Sequence, residues 1–510
     1  MPMDTLQAFE LFAGVVLVLV TVLLFRHLRL LDAPGTSSPS PPRPRGLPLI
    51  GNLHQLGRLP HASLAALAAK HAAPLMLLRL GSVPTLVVST ADAARALFQP
   101  NDRALSGRPV QRASTRLSYG LQDMTFSAPD SPLWRAARRA CLSELLGAPR
   151  VRGFRDAREA EAAALIADVA EHASSAAGSQ AVNLSEKLTS ASNRIVMRVA
   201  FGDYGEETAA VLEESQKHFG AFFVSDYLPW LGWVDALRGL RRGLERYFHE
   251  LDAFYERLIH DHLSKQAGSK EEDLVDVLLR LHQDPAHRST FGNRGAVKGI
   301  LMDIFLARTE TSAAALEWTM TELIKHPDIL RKAQSEVRSA VDGGKDMVRE
   351  ADLPRLRYLK SVIRESLRLH PPAPLLVPRE TTEACTVRGH EIPAGTRVIV
   401  NAKAIGTDAG AWGPDAARFV PERHLAEGVD LSDHKPWHDG GFALVPFGMG
   451  RRSCPGVHFA TAVVELLLAN LLFCFDWRAP LGEVDVEEKP GLIVSRNNPL
   501  VLVPERRCVK

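Results

Sequence analysis

From Leu11 to Phe25 the chain is continuously apolar, with Thr21 as its only polar member. Beyond residue 52 the apolar positions fall to a helical spacing that persists, with few interruptions, to the C-terminus. The first run is fifteen residues, short of the ~20 that cross a bilayer. Leu28, Leu30 and Leu31 extend it, with Arg26 and Arg29 able to snorkel to the interface. The longest helical pattern runs from about Ala296 to Lys325 and stops at His326-Pro327. Val297, Ile300, Leu301, Ile304, Phe305, Ala315, Trp318 and Leu323 keep to one broad face of it. A helix of about 30 residues spans roughly 45 Å, enough to cross a domain. Its middle, Ala307-Arg-Thr-Glu-Thr-Ser312, interrupts that face with polar groups. Strand signals are sparse. Leu75–Leu80 and Thr85–Ser89 flank Gly81-Ser82 and predict a hairpin. A second small set is expected at Cys385–Val387, Glu391–Ile392 and Arg397–Val400. The pattern predicts a mainly α fold with small β-sheets.

Charge decides between a membrane anchor and a cleaved signal peptide for the first run. Asp4 and Glu10 precede it, where a secretory signal carries Lys or Arg, and the basic residues follow it: Arg26, His27, Arg29, Arg43 and Arg45. We expect a transmembrane anchor over 8–31, with the N-terminus in the lumen and the remainder in the cytosol. Pro39, Pro41, Pro42, Pro44 and Pro48 make 32–51 a semi-rigid hinge. The length of 510 residues would allow about three domains. A net charge of +2 argues against nucleic acid as a partner. Cys141, Cys385, Cys454, Cys474 and Cys508 are odd in number and scattered, which is no disulfide framework and suits a reducing compartment.

The chemistry is concentrated in Phe447-Gly-Met-Gly-Arg-Arg-Ser-Cys454-Pro-Gly456. A thiolate presented on a glycine-rich turn suits an axial ligand of haem iron, and pushes electron density onto the metal to favour O–O cleavage. A buried structural cysteine is the plain alternative. At Phe447, Gly450, Arg452, Cys454 and Gly456 the stretch resembles the haem-binding loop of the cytochrome P450 family. The resemblance implies a cytochrome P450 fold, one catalytic domain over 52–510 and haem b (iron protoporphyrin IX) as cofactor. Cys454 would be the metal ligand, and Arg452 would reach a haem propionate.

Further motifs follow in the order that family requires. Trp134-Arg-Ala-Ala-Arg138 sets an indole and a guanidinium on one helical face, able to donate to a propionate; alone it would be an ordinary basic helix. Glu365 and Arg368, with Arg423 from a distant loop, resemble the family's structural lock behind the thiolate loop; His424 stands where an aromatic is usual. Arg379 matches a position that reaches the second propionate. At the centre of the long helix, Ala307 leaves room for dioxygen, Thr311 carries a hydroxyl to hold oxygen and a water, and Glu310 is the carboxylate that would feed protons. Arg308 occupies the place of the family's glycine, about 60° around the helix from Thr311. It could crowd the oxygen groove or pair with Glu310.

Details such as Pro371 to Glu380 and Asn401-Ala-Lys-Ala-Ile-Gly resemble the plant microsomal enzymes of specialised metabolism, with Lys403 in place of a tryptophan. The implied reaction inserts one oxygen atom from O2 into a small lipophilic metabolite. Phe222, Phe223, Ile304, Phe305, Leu375 and Leu376 are expected along the substrate pocket, and Asp303 is either solvated or paired, or a contact for a basic nitrogen. No Gly-x-Gly-x-x-Gly follows a strand, so electrons must come from a partner. The resemblance implies NADPH–cytochrome P450 reductase, docked on Arg135, Arg139 and Arg451, and an endoplasmic reticulum membrane location. Two other readings stay open: a haem-thiolate dehydratase or isomerase, motivated by Arg308, and a non-catalytic membrane haem protein.

Overall fold

The structure is a computed structural model describing residues 14–15, 40–173, 180–201, 214–215, 217–264, 272–307, 310–341, 344–425, 441–480 and 482–507. The expected anchor, apart from 14–15, lies outside the described residues, as do Arg308 and Cys508.

The helices that frame the site are α1 (Pro132–Ala140), α2 (Arg155–Ala173), α3 (Leu184–Phe201), α4 (Leu240–Ser264), α5 (Arg294–Ala307), α6 (Glu310–Lys325), α7 (Pro327–Ala340), α8 (Arg357–Leu369) and α9 (Val457–Cys474). The long helical pattern is thus described as α5 and α6, on either side of residues 308–309. It ends where expected, and Pro327 opens α7 at its first position, where a missing N–H is harmless. The expectation of a single apolar face is too narrow for α6. Every residue from Ser312 to Leu323 is buried, so its polar members need internal partners. Thr319 and Thr321 donate to the carbonyls four residues back. Glu322 accepts from His370 at 3.0 Å, and Trp318 donates to the Val494 carbonyl.

α9 is apolar on all sides because it is the centre of the core. It packs on α2, α6, α7 and α8, and Leu466 to Ala469, Leu471 and Leu472 are wholly buried. It is the one helix among the described residues long and apolar enough to cross a membrane, and its burial accounts for that composition.

The β portion is small. β1 (Leu75–Leu80) and β2 (Val83–Val88) form the expected antiparallel hairpin through Gly81. Gly81 has φ +64°, and a side chain there would strike the Tyr227 carbonyl. β3 (Val182–Asn183), β8 (Phe475–Arg478) and β9 (Val501–Arg506) make a second sheet in the order β3-β9-β8. The other expected set divides. β5 (Cys385–Val387) and β6 (His390–Ile392) pair through Arg388-Gly389, both at positive φ. β7 (Arg397–Val400) leaves them and joins the first sheet, parallel to β2 and antiparallel to β4 (Arg379–Glu380). Residues 40–51 of the proline-rich hinge lie against the domain. Pro41 and Pro44 are buried, Leu77 donates to the Pro42 carbonyl, and Asn52 N donates to the Arg79 carbonyl at 2.6 Å.

Candidate functional site

Cys454 lies at the end of a tightly wound loop, two residues before Gly456 caps α9. Its N–H donates to the Phe447 carbonyl at 2.8 Å, and Ser453 N–H to Gly450 at 3.0 Å, closing the loop on itself. Gly448 and Gly450 have φ +73° and +62°, and a Cβ on Gly450 would collide with the Asp102 carboxylate. Burial pushes the Cys454 thiol up, while the Gly456 N–H and Arg138 favour its thiolate. A thiol so enclosed ionises readily when a coordinated cation takes the charge.

Four guanidiniums gather beside this loop. Arg138 donates to the Ser453 carbonyl at 2.9 Å. Arg452 is buried and donates to the carbonyls of Ser106 and Met124, at 2.8 and 2.9 Å, and of Ser127. Its guanidinium carbon lies 4.8 Å from the Trp134 ring centroid. Arg379 donates to the Met449 carbonyl and stands 3.7 Å from Asp102. Arg108, which the sequence did not single out, donates to the carbonyls of Thr125, Val377 and Pro378. Burial, with Arg379 and Arg452 close by, holds Arg108 well below the usual arginine range. Burial likewise pushes Arg379 and Arg452 down to about 10.

Like charges concentrated out of water call for an anion. Two donors beside the loop are left for it: Trp134 Nε1 and Arg379 Nη1 are buried without a hydrogen-bond acceptor, the latter 3.7 Å from the Asp102 carboxylate. Native interiors seldom leave such groups unmet. An isolated thiol ligand beside a cationic ring of donors fits an iron macrocycle bearing two carboxylates.

The four arginines border a cavity of about 630 Å³, whereas Trp134 is not in its lining; the volume is within the range of roughly 300–1,000 Å³ common for small-molecule sites. Cys454 and Phe447 lie on one side, and Thr311, Ser312 and Ala315 of α6 contribute to the lining. Ala307 is the last residue of α5, and Glu310, half-buried, the first of α6; Glu310 is not among the lining residues. Of the expected substrate positions, Phe223, Ile304 and Leu376 line the cavity. Three do not. Phe222 is exposed and stacks on Tyr227. Phe305 is locked in the core between Phe201, Phe254 and Tyr255. Leu375 packs on the cluster beneath β1 and β2. Phe126 and Phe219 bring a stacked pair, 5.8 Å between centroids, into the lining instead. Asp303 is buried rather than solvated, accepts the N–H groups of Met124 and Thr125, and also lines the cavity.

Behind the loop, Glu365 accepts from Arg368 at 2.7 Å through both nitrogens and from Arg423 at 2.9 Å. His424, in the place of the usual aromatic, joins the lock as a further donor, its Nε2 2.9 Å from Glu365. Lys403 pairs with Glu488. Arg135, Arg139 and Arg451 are exposed.

Comparison with known proteins agrees with this geometry. The family model described as Cytochrome P450 matches residues 41–503. Cytochrome P450 71A9 of Glycine max is 46% identical over 484 residues, covering 92% of this chain and 93% of that protein. Strychnine-11-hydroxylase of Strychnos nux-vomica is 43% identical over 483 residues, 92% of each. Cytochrome P450 71A1 of Persea americana is 45% identical over 475 residues, 89% of this chain and 91% of that protein.

Proposed function

The chain belongs to the cytochrome P450 family, and from that premise we propose that it hydroxylates a small lipophilic plant metabolite with electrons from NADPH–cytochrome P450 reductase. It is an oxidoreductase whose cofactor is haem held by a cysteine thiolate. The observation that carries the finer reading is the shared cavity, with the Cys454 thiol at one side and the Thr311 end of α6 in the same lining.

Haem, when bound, supplies the activation of dioxygen. Cys454 holds the iron through its sulfur, and the closed loop with its Gly456 N–H keeps that sulfur fixed and partly neutralised. Trp134, Arg138, Arg379 and Arg452 hold the carboxylates, with Arg108 as an additional cation among them. Thr311 carries a hydroxyl into the cavity that holds a water and passes a proton inward. Glu310, one residue away, replenishes it. Apolar and aromatic walls (Phe126, Phe219, Ile304, Leu376) exclude water and orient a lipophilic substrate. Exposed Arg135, Arg139 and Arg451 favour docking of an acidic electron-donor domain. The apolar N-terminal run anchors the protein in the endoplasmic reticulum membrane with the catalytic domain in the cytosol.

The test is reconstitution of the full chain with the reductase and a panel of plant alkaloids, terpenoids and aromatics under ¹⁸O2. One labelled oxygen atom in the product, with NADPH consumed, is the expected result. Turnover that needs neither NADPH nor O2 would refute it in favour of dehydration or isomerisation. Cys454→Ser is expected to abolish the reduced carbon-monoxide absorption of the wild type.

A further inference from the structure

The loop 122–127 is gripped from three directions. From α5, Asp303 Oδ2 accepts Met124 N–H at 2.6 Å and Thr125 N–H at 3.1 Å, and the Thr125 hydroxyl donates to the same carboxyl. From within the loop, Asp123 Oδ1 accepts Phe126 N–H and Ser127 N–H, both at 2.9 Å. From the thiolate loop, Arg452 binds the carbonyls of Met124 and Ser127, while Arg108 binds that of Thr125. Gly299 makes the approach of α5 possible, since a Cβ there would strike the Gln122 carbonyl. The six-residue loop is therefore the physical link between the oxygen helix and the arginines that seat the cofactor.

Two oxygens remain. Asp123 Oδ2 and Asp303 Oδ1 are both buried and accept from no donor, and the two carboxyls lie within hydrogen-bonding reach of each other. Asp123 is fully buried and Asp303 nearly so. Two carboxylates this close and this dry cannot both hold a charge, whereas one proton between them makes a charge-assisted hydrogen bond. We propose that Asp123 is a neutral carboxylic acid whose Oδ2–H donates to Asp303 Oδ1, so that one shared proton fastens α5 to the loop that positions Arg108 and Arg452. Both acids are positioning residues.

The proton belongs on Asp123 because Asp303 collects three donors from Met124 and Thr125 and Asp123 only two. Burial first, and then Asp303, pushes Asp123 well above its ordinary 3.8, whereas Asp303 rises only to about 6. The other groups facing the pair are Arg108, Arg452 and Cys141. Both arginines donate to backbone carbonyls, and their positive charges face the one negative charge that the pair retains. Cys141, buried with its thiol pushed up to about 12, stays neutral. A carboxyl raised by folding stabilises the fold while it keeps its proton. Its contribution declines as pH climbs from the ordinary value toward the raised one, above which the pair carries two charges and the loop loosens.

Asp123→Asn tests this without disturbing shape, since its amide donates to Asp303 permanently. Infrared spectra of the haem-loaded full chain in H2O and D2O are compared between wild type and D123N, with Asp303→Asn as the second variant. Glu465, pushed up to about 7, has its own band and cancels in the difference. A protonated-carboxyl stretch present in wild type, shifted by D2O, missing from D123N and moved in frequency in Asp303→Asn, where its acceptor becomes an amide, is the expected result. Haem transfer to an apo-globin acceptor is the second readout, and it depends only on the family's haem seat, whatever the substrate. It should accelerate on the order of tenfold from neutral to alkaline pH in wild type and stay nearly flat in D123N. A difference spectrum without a protonated carboxyl, or the same alkaline profile in both proteins, overturns the proposal.

Discussion

Replacing Glu365 by glutamine removes one charge and leaves its surroundings almost unchanged in volume. Glu365 is wholly buried. It accepts two bonds from Arg368, one from Arg423, one from His424 and one from the Val420 N–H. Burial raises its carboxyl, but the bonds from Arg368 and His424 overcome that and pull it down to about 2, against an ordinary 4.5. That difference is worth roughly 3 kcal/mol at neutral pH. The sign is that of a depressed acid. The contribution is complete above the ordinary value and is lost as pH falls toward the folded one. Glutamine instead offers one neutral oxygen and turns an NH2 group toward donors, leaving the buried Arg368 guanidinium without a counter-charge while Arg423 keeps Asp415, a loss of about 3–5 kcal/mol. The assay is denaturant unfolding of the haem-loaded protein followed by circular dichroism at neutral pH, repeated at steps between about pH 5 and pH 3. The variant should unfold at distinctly lower denaturant and show a shallower acid limb. A neutral-pH loss below about 1 kcal/mol, or an acid limb parallel to wild type, would refute the reasoning.

Three further outcomes are expected. Trp134→Phe keeps the face under Arg452 but removes the unmet N–H; haem transfer to an apo-globin should quicken about tenfold, the equivalent of one charged hydrogen bond. Gly450→Ala forces a Cβ into the Asp102 carboxylate at φ +62°, which should lower unfolding stability by roughly 2–4 kcal/mol and reduce haem content on purification. Thr311→Ala should leave NADPH oxidation running while the ratio of product to NADPH falls severalfold, with peroxide released instead.

Much of this site was legible in the sequence because its parts are local. The thiolate loop is ten contiguous residues, Trp134 and Arg138 are one helical turn apart, and the Glu365–Arg368 pair lies on a single helix. Arg108 escaped because its acceptors, Thr125, Val377 and Pro378, are up to 270 residues away, and Ser-Gly-Arg-Pro has no periodic signature. His424 read as a missing aromatic, yet a ring nitrogen in that place meets the second oxygen of Glu365. The same distance effect misled the pocket: Phe222 and Phe305 are apolar at suitable positions in the chain, but only packing decides that one faces out and the other inward. β7 was assigned to its sequence neighbours, whereas its four buried residues are satisfied between β2 and β4, some 300 residues from β2.

The helix at the centre of the core, α9, comes after the other helices that frame the site, and its first residues follow directly on Cys454. During synthesis the other framing helices emerge before α9, so the faces they turn to it stay uncovered until it arrives. Capture of the pigment and consolidation of the interior therefore fall at the same moment. A premature stop just before residue 457 removes this helix and leaves Cys454 and the motifs before it with no central helix to pack on.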